Sequence, residues 1–214
     1  MPARTGRPPK ISRAEIVSAA SRIIDEQGIE ALTMRQVARE VGTTAMALYH
    51  HVRDKTELLQ LLLDEHAARI EMPEPIEDDP VGQVVATATA MRDALNGRPW
   101  VVDVLRSDDL LSPRALHYNE LIVDGFQRAG LSAEDAVDGY RIIWHYTAGE
   151  ISGRAAATRR RADESPTYRS KVFADIDPAQ HPRLAAVGER WEELTARDTY
   201  AKGLRALVTG LLSR

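Results

Sequence analysis

The segment from Thr43 to His50, TTAMALYH, has unusual residue types for the solvent-facing side of a short helix. Its threonine, alanine and methionine side chains supply methyl groups, and its tyrosine and histidine supply hydrogen-bond donors. In a DNA major groove, such methyl groups contact the C5 methyl of thymine, and such donors contact phosphate oxygens. We therefore expect a helix that lies in a major groove. Its candidate DNA-binding residues are Thr43, Thr44, Ala45, Met46, Ala47, Tyr49 and His50.

Two basic residues flank this segment. Arg35 is suited to bidentate reading of guanine, and Lys55 is suited to a phosphate contact beside a helix N-terminus. Each feature also has a simpler interpretation, since Arg35 alone could be an ordinary surface residue and Tyr49 a half-buried core aromatic. We predict no metal site at His50 and His51, because adjacent helical residues point about 100° apart and the sequence contains neither HxxxH nor HExxH.

Capping signals divide the first 70 residues into four short helices. The capping-box patterns are SRAE at Ser12, TMRQ at Thr33 and DKTE at Asp54. Gly28 is expected to end the first helix and Gly42 the second. This spacing predicts a compact helical unit instead of one long helix.

The turn EVGTT joins the second and third of these helices in the arrangement of a helix-turn-helix. Thr43 or Thr44 is expected to cap the third helix. If Leu48 points inward with Val52, the remaining residues of that helix must cover its outer surface.

The chain beyond residue 70 predicts further helices and no strand. Glu71 to Pro80 holds three prolines and five acids, which is typical of a linker. Helical spacing follows at 80–97, 100–107, 113–129, 133–158 and 197–213, and the segment 159–182 is expected to be a long loop. The predicted fold class is all-α, with a three-helix helix-turn-helix DNA-binding domain and connecting helix at 1–70 and a helical regulatory and dimerisation domain at 71–214.

Charge is distributed unevenly along the 214 residues, whose net charge is −4. Residues 1–55 hold nine Lys/Arg and six Asp/Glu, a balance of +3, whereas the remainder holds nineteen and twenty-six, a balance of −7. A basic front end favours a local anionic partner. The arm with Arg4, Arg7 and Lys10 is either a disordered tail or a basic arm that reaches phosphates or a minor groove.

Composition narrows the class of protein further. The chain has no cysteine, which excludes disulfides and thiolate metal sites and fits a reducing cytoplasm. No apolar run approaches the roughly 20 residues of a membrane span, and MPARTGRPPK lacks the apolar core of a secretory signal. We expect a cytoplasmic protein without membrane contact, metal or cofactor.

The sequence ALTMRQVAREVGTTAMALYHHVRDKTELL resembles the DNA-binding region of the TetR family of bacterial transcriptional regulators. The resemblance spans about residues 12–66, and LYHHV is closest to the tetracycline-repressor branch. It implies that Arg35 contacts bases and that Thr44 to Ala47 begin the recognition helix. It also implies DNA-backbone contacts from Tyr49, His50 and Lys55. The family usually has a hydrophobic residue at the position of Thr43 and often glycine or proline at that of Met46, which changes details of the operator.

The segment from Ser112 to Glu150 resembles the regulatory domain of the same branch. The resemblance implies a homodimer and a ligand pocket in each body for an unknown small-molecule effector. A tetracycline–magnesium effector is not expected, because WVVDVLRSDD offers no histidine. Residues with the apolar character and polar handles of a pocket are Trp100, Leu105, Tyr118, Leu121, Ile122, Phe126, Trp144 and His145.

Small residues accompany the apolar stripes of the helices predicted at 133–158 and 197–213. Gly149, Gly153 and Ala157 recur four apart in the first, and Gly203, Ala206 and Gly210 lie beside the apolar stripe of the second. Such residues let helices approach closely, either within one chain or in a four-helix dimer interface. A two-fold dimer would place two recognition helices about 34 Å apart on a palindromic double-stranded DNA operator.

Three functions compete at this point. The first is a dimeric transcriptional repressor that a small-molecule effector releases from its operator. The second is a DNA-binding regulator without such an effector, controlled by a protein partner or by its own concentration. The third, an all-α enzyme, lacks any nucleophile–base pairing, phosphate loop or metal spacing in the sequence. We therefore expect a regulator and not an enzyme.

Overall fold

The computed structural model describes residues 11–106, 110–161 and 167–213. These residues form α-helices and 3₁₀ turns without a strand, which confirms the predicted all-α class. The arm with Arg4, Arg7 and Lys10 lies outside the described residues. The helices are α1 (Arg13–Gln27), α2 (Met34–Glu40), α3 (Ala45–Tyr49), α4 (Lys55–Ala68), α5 (Pro80–Asn96), α6 (Pro99–Leu105), α7 (Leu116–Arg128), α8 (Ala133–Arg161), α9 (Tyr168–Ala174), α10 (Pro182–Ala185), α11 (Trp191–Thr195) and α12 (Tyr200–Leu212).

Side-chain caps begin the first helices as the sequence predicts. The Ser12 side chain accepts from Glu15 N–H, and the Glu15 carboxylate accepts from Ser12 N–H, so the capping box of α1 is confirmed. Thr44, and not Thr43, caps α3 by accepting from Ala47 N–H at 3.2 Å.

The other two predicted capping boxes form only in part within the described structure. Thr33 and Asp54 each accept a backbone N–H three residues on, as expected. The Gln36 side chain, however, donates across to α1 at 2.8 Å. The Glu57 carboxylate accepts from Arg53 N–H at 2.7 Å. In both cases the side chain that would form the reciprocal bond of the capping box is hydrogen-bonded to a residue outside that box.

The prediction of one long loop at 159–182 is wrong where the structure describes that segment. Helix α8 continues to Arg161, and α9 forms because Thr167 caps it by accepting a backbone N–H at 3.1 Å. Phe173 of α9 stacks on Trp191 of α11, with ring centroids 4.1 Å apart. Helices α9, α10 and α11 have only seven, four and five residues, which is too short for a helical period to be visible in the sequence.

The chain forms two compact units, of which the first comprises Met1–Glu74 and Asp93–Glu120. In it, α1 packs against α2 and α4, and α2 packs against α3. Burial of aliphatic side chains is the main force that holds such short helices together. The buried aliphatic residues of this bundle include Ile16, Ala20, Ile23, Ile24, Leu32, Val37, Leu48, Val52, Leu58 and Leu62.

The second unit comprises Pro75–Arg92 and Leu121–Arg214. Helices α7 and α8 approach closely at Gly139, where a Cβ atom would lie 2.8 Å from the ring of buried Phe126. Tyr200 is fully buried at the start of α12. Its hydroxyl lies 3.1 Å from Ala88 O of α5 and 2.8 Å from Thr147 Oγ1 of α8, so it joins three helices. Across the described residues of both units, no helix is long and apolar enough to cross a membrane.

Candidate nucleic-acid interface

The turn at Gly42 sets the angle between α2 and α3. Gly42 has a φ of +72°, in the left-handed region that favours glycine. Thr43 N–H donates to Ala38 O at 2.8 Å and closes the end of α2. Leu48 and Val52 are completely buried, as the sequence predicts. They fix the inner side of α3, so helical geometry turns the opposite side outward.

The outer side of α3 carries the methyl-bearing, tyrosine and histidine side chains that are unusual for a solvent-facing helix surface. Met46 is 72% exposed and Tyr49 is 48% exposed, so Tyr49 is not a core aromatic. Thr44 and His50 are also exposed, whereas Thr43, Ala45 and Ala47 are half-buried. We call the set Thr44, Ala45, Met46, Ala47, Tyr49 and His50 the α3 face.

Arg35 and Lys55 are exposed and lie in the first turns of their helices, as the second residue of α2 and the first of α4. The first N–H groups of a helix lack intrahelical acceptors and carry partial positive charge. Lys55 therefore combines a side-chain cation with the N-terminus of a 14-residue helix, a combination suited to a phosphate.

Glu57, in the first turn of α4, connects the turn after α3 to the start of α1. Its Oε2 accepts from Arg53 N–H at 2.7 Å and from Arg53 Nε at 3.2 Å. Its Oε1 accepts from Arg13 Nη2 at 3.1 Å, and Arg13 Nε donates to His51 O at 3.0 Å. We call Arg13, Arg53 and Glu57 the turn clamp. The sequence does not reveal this clamp, since no local pattern links Arg13 to Glu57, 44 positions further on.

Hydrogen bonding keeps the clamp carboxylate charged. The backbone N–H of Arg53, then its side chain, lower the pKa of Glu57 below the usual value of a glutamate. A glutamate is ionised at neutral pH, and the lowered pKa keeps Glu57 charged further into the acid range. Both arginines of the clamp therefore face a full negative charge.

Four buried polar atoms of the first unit have no hydrogen-bond partner among the described residues. They are His66 Nε2, Trp100 Nε1, Ser112 Oγ and Tyr118 Oη. Trp100, Ser112 and Tyr118 are each more than nine-tenths buried. An unpaired buried polar group costs about 1–3 kcal/mol, so native proteins pair nearly all of them. Burial also raises the pKa of Tyr118, so its hydroxyl keeps its proton as a donor.

The predicted pocket residues divide between the two units. Trp100 and Tyr118 of the first unit are among the unpaired polar groups, whereas His66 and Ser112 were not predicted. Nothing in the sequence distinguishes His66 from a surface residue of α4, and Ser112 resembles a helix cap. In the first unit Leu105 is half-buried; in the second, Leu121, Ile122 and Phe126 are buried, Trp144 is half-buried and His145 is exposed.

His145 contributes to the wall of an open groove of about 510 Å³ on the second unit. Asp135, Asp138 and Arg141 of α8 line the same groove, with Leu211 of α12. Asp135, Asp138 and Arg141 are charged and exposed, which is unlike the mostly apolar, enclosed lining of a ligand pocket.

Helices α8 and α12 expose small and apolar residues. At Gly149, Gly153 and Gly210, an added Cβ would meet no described atom within 4 Å. Gly203 differs, because an added Cβ there would clash with the Tyr146 ring of α8, so this glycine serves packing within the chain. Ile142 is 37% exposed, and Ala206 is also exposed. We call Ile142, Gly149, Gly153, Ala206 and Gly210 the small-residue face. The packing described for this chain leaves the face open, which is unusual for an apolar helical surface.

Comparison with known proteins identifies both parts of the chain. Residues 16–62 match the family model for bacterial regulatory proteins of the tetR family. Residues 72–214 match the model for the tetracyclin repressor-like C-terminal domain. The second match alone covers more than half of the 214 residues.

Individual relatives agree with these matches. A helix-turn-helix-type transcriptional regulator of Saccharopolyspora erythraea is 28% identical over 211 residues, which are 95% of this chain and 85% of the relative. The transcriptional repressor DrrR1 of Streptomyces coeruleorubidus is 32% identical over 85% of this chain and 66% of its own length. The fold is similar to that of Streptomyces coelicolor ActR solved with actinorhodin, with a TM-score of 0.76, 23% identity and 97% coverage of both chains. The chain therefore belongs to the TetR family of bacterial regulatory proteins, which are DNA-binding regulators of transcription.

Proposed function

We propose that this protein is a homodimeric, sequence-specific transcriptional repressor that acts in the cytoplasm and that a small-molecule effector releases from a palindromic DNA operator. The observation that carries the proposal is the exposed α3 face, held on a three-helix unit by buried Leu48 and Val52. On this five-residue helix Met46 is 72% exposed and Tyr49 is 48% exposed, so packing within the described unit accounts for only part of these two side chains. Contact with base edges and phosphates would account for the exposed part.

The roles of individual residues follow from their chemistry. Arg35 reads a guanine, and the methyl groups of Thr44, Ala45, Met46 and Ala47 contact thymine methyls. The remaining predicted contacts go to phosphate oxygens, from side chains with hydrogen-bond donors. These phosphate-contacting residues are Thr43, Tyr49, His50 and Lys55.

The homodimer forms through α8 and α12. The small-residue face supports this arrangement, because glycines with open space above them permit close approach of a partner helix. Two copies related by a two-fold axis would present two α3 faces to one operator, with half-sites about one DNA turn apart.

The effector binds in the first unit at Trp100, Ser112 and Tyr118, whose buried polar atoms have no hydrogen-bond partner among the described residues. Trp100 Nε1 is a donor only, and the Tyr118 and Ser112 hydroxyls can donate or accept. A largely apolar molecule with several oxygen acceptors would satisfy them, and such a ligand would favour the conformation that leaves the operator. The actinorhodin bound to the ActR neighbour makes that compound a first probe.

Selection from a random-sequence duplex pool tests the DNA-binding part of the proposal. Purified protein is expected to enrich a palindrome whose half-sites lie about one turn, or roughly 10 base pairs, apart. Failure to enrich any sequence at moderate salt would contradict sequence-specific binding. Enrichment of a single asymmetric half-site would contradict the dimer.

Release of the selected site tests the effector part. We expect actinorhodin to lower the fluorescence anisotropy of labelled operator bound to the protein. Trp100→Phe should raise the half-maximal concentration about three- to tenfold, the value of one net hydrogen bond. Trp191→Phe, which alters the stack on Phe173 in the second unit, is the matched control. If Trp100→Phe and the control behave alike, the indole does not contact this ligand, and absence of release would favour regulation without this effector class.

A further inference from the structure

Glu57 is an acid at a DNA-binding surface, where a negative charge should oppose phosphates. It follows Lys55 by two residues in the first turn of α4. Its side chain is only 17% exposed, whereas the side chains of Arg53 and Arg13 are 84% and 60% exposed. A carboxylate enclosed by two arginines suggests a function other than solubility.

The hydrogen bonds of this carboxylate all go to the turn that follows α3 or to a residue that holds that turn. Oε2 accepts the backbone N–H of Arg53 at 2.7 Å, within the turn itself. Oε1 holds Arg13, which donates in turn to the backbone carbonyl of His51 at 3.0 Å. The clamp therefore fixes the backbone on both sides of Val52 relative to α1 and α4.

The clamped turn is the C-terminal anchor of the α3 face. His50 is the C-cap residue of α3, and His51 N–H donates to Leu48 O at 2.9 Å. Helix α3 has only five residues, and so short a helix has little intrinsic stability. Its orientation therefore depends on tertiary restraints at its two ends, the Gly42 turn and the clamped turn.

We propose that Glu57 is a positioning residue for DNA recognition: through Arg13 and Arg53 it holds the turn after α3 so that the α3 face meets base edges in register. This inference rests on the proposed DNA-binding function. Glu57 itself does not contact DNA. Its charge is neutralised by the two arginines, so that the phosphate-binding surface tolerates it.

The sign of the effect separates positioning from simple electrostatics. If the charge of Glu57 only opposed phosphates, Glu57→Gln would tighten binding to all DNA sequences. Positioning predicts instead that Glu57→Gln loses about ten- to a hundredfold of its affinity for the selected operator, a loss similar to that of one mismatched base pair. Affinity for a scrambled duplex should stay equal or rise, so the ratio of specific to non-specific affinity should fall.

Glu40→Gln is the matched control, because it makes the same chemical change at another acid of the same unit. Glu40 pairs with Arg22 of α1 at 3.2 Å, but the structure shows no hydrogen bond from its carboxylate to the α3–α4 turn. Its operator affinity should equal or slightly exceed that of the wild type. Glu57→Asp keeps the charge but shortens the reach, so it should lose operator affinity like Glu57→Gln.

Binding is measured with wild type and the three variants on the selected operator and the scrambled duplex, well below the unfolding temperature of each. A variant that lowers stability alone leaves the affinity ratio unchanged, so an unchanged ratio for Glu57→Gln and Glu57→Asp overturns the inference. Equal or tighter operator binding by Glu57→Gln also overturns it. Failure of the wild type to prefer the operator would instead refute the proposed function, which keeps the two failures distinct.

Discussion

At the residue scale, the orientation of α3 was predictable and the turn clamp was not. Leu48 could be placed inward because a helical period of 3.6 residues fixes which neighbours share its face. The buried Leu48 and exposed Met46 confirm that placement. The partners of Glu57 could not be predicted. Its sequence pattern predicts a bond to the N-cap residue Asp54, whereas its carboxylate accepts from Arg53 N–H and, across the packing of α1 on α4, from Arg13.

Arg35→Ala tests base reading. The side chain is exposed, so its removal should leave the fold intact. We expect a loss of about 1–3 kcal/mol in operator binding and a relaxed preference at one base pair of each half-site. Titration of the operator and its single-base variants measures both. An equal loss on every sequence would refute a base-reading role for Arg35.

Lys55→Ala should weaken binding to all DNA sequences alike, in contrast to Arg35→Ala. A phosphate contact carries no sequence information, so affinity should fall by a similar factor on operator and scrambled DNA. The slope of log affinity against log salt should flatten by about one unit. Binding measured across a salt series checks this expectation, and a loss confined to the operator would argue against a phosphate contact.

His66 makes stability depend on pH. Burial and the nearby charges of Arg98 and Arg69 lower its pKa, while a hydrogen bond to the Ala94 carbonyl opposes them. Because the folded-state pKa is depressed, neutral His66 contributes stability above the ordinary histidine pKa of about 6.5. That contribution falls as the pH drops through this value towards the folded-state pKa. Denaturant unfolding from about pH 7.5 to about pH 5 should show a larger loss for wild type than for His66→Gln. Equal losses would contradict the assignment.

At the element scale, capped helices were predictable and short packed ones were not. Helices α1 to α4 begin at Ser12, Thr33, Thr44 and Asp54, whose side chains mark helix starts in the sequence itself. Helices α9, α10 and α11 were missed because seven, four and five residues are too few to show a helical period, although Thr167 caps α9. The Phe173–Trp191 stack between α9 and α11 leaves no periodic pattern either. Local sequence signals therefore identify helices with strong caps, whereas some short helices form through tertiary contacts that the sequence does not show.

Gly139→Ala tests the close approach of α7 and α8. Alanine favours a helix by about 1 kcal/mol over glycine. The new methyl group, however, would lie 2.8 Å from the ring of fully buried Phe126, so the ring or the two helices would have to shift. We expect net destabilisation of about 1–3 kcal/mol by overpacking. Denaturant unfolding measures this change, and Phe126→Leu should reduce the cost of Gly139→Ala by relieving the clash. A stabilised Gly139→Ala protein would contradict the described packing.

At the scale of the whole molecule, the sequence indicated the small-residue face but not its openness. Gly149 and Gly153 recur at a spacing that suits close packing of helices, whether within one chain or between two. Only the structure shows the open space beside these glycines. This open space favours packing against a second copy of the chain over packing within one chain. The predicted pocket residues were equally ambiguous, since buried aromatic and aliphatic side chains serve cores and pockets alike. The unpaired atoms of Trp100 and Tyr118 distinguish them from the rest.

Ala206→Glu tests the dimer. A carboxylate on the small-residue face would be buried against its own copy across a two-fold interface, which is strongly unfavourable for an unpaired charge. We expect sedimentation velocity to show a monomer and operator binding to weaken at least about tenfold, since one recognition helix replaces two. Ala201→Glu is the control, as it adds the same charge at another exposed position of α12. A variant Ala206→Glu that remains dimeric would refute the proposed interface.

Base reading by the α3 face is tested most directly by a variant with a changed base preference. Met46→Gln replaces a 72% exposed side chain by one suited to bidentate contact with adenine. The random-pool selection, repeated with this variant, should shift the consensus towards adenine at one symmetry-related position in each half-site. The preference gained there should be about 1–3 kcal/mol. An unchanged consensus, with affinity altered equally on all sequences, would contradict base reading by the α3 face.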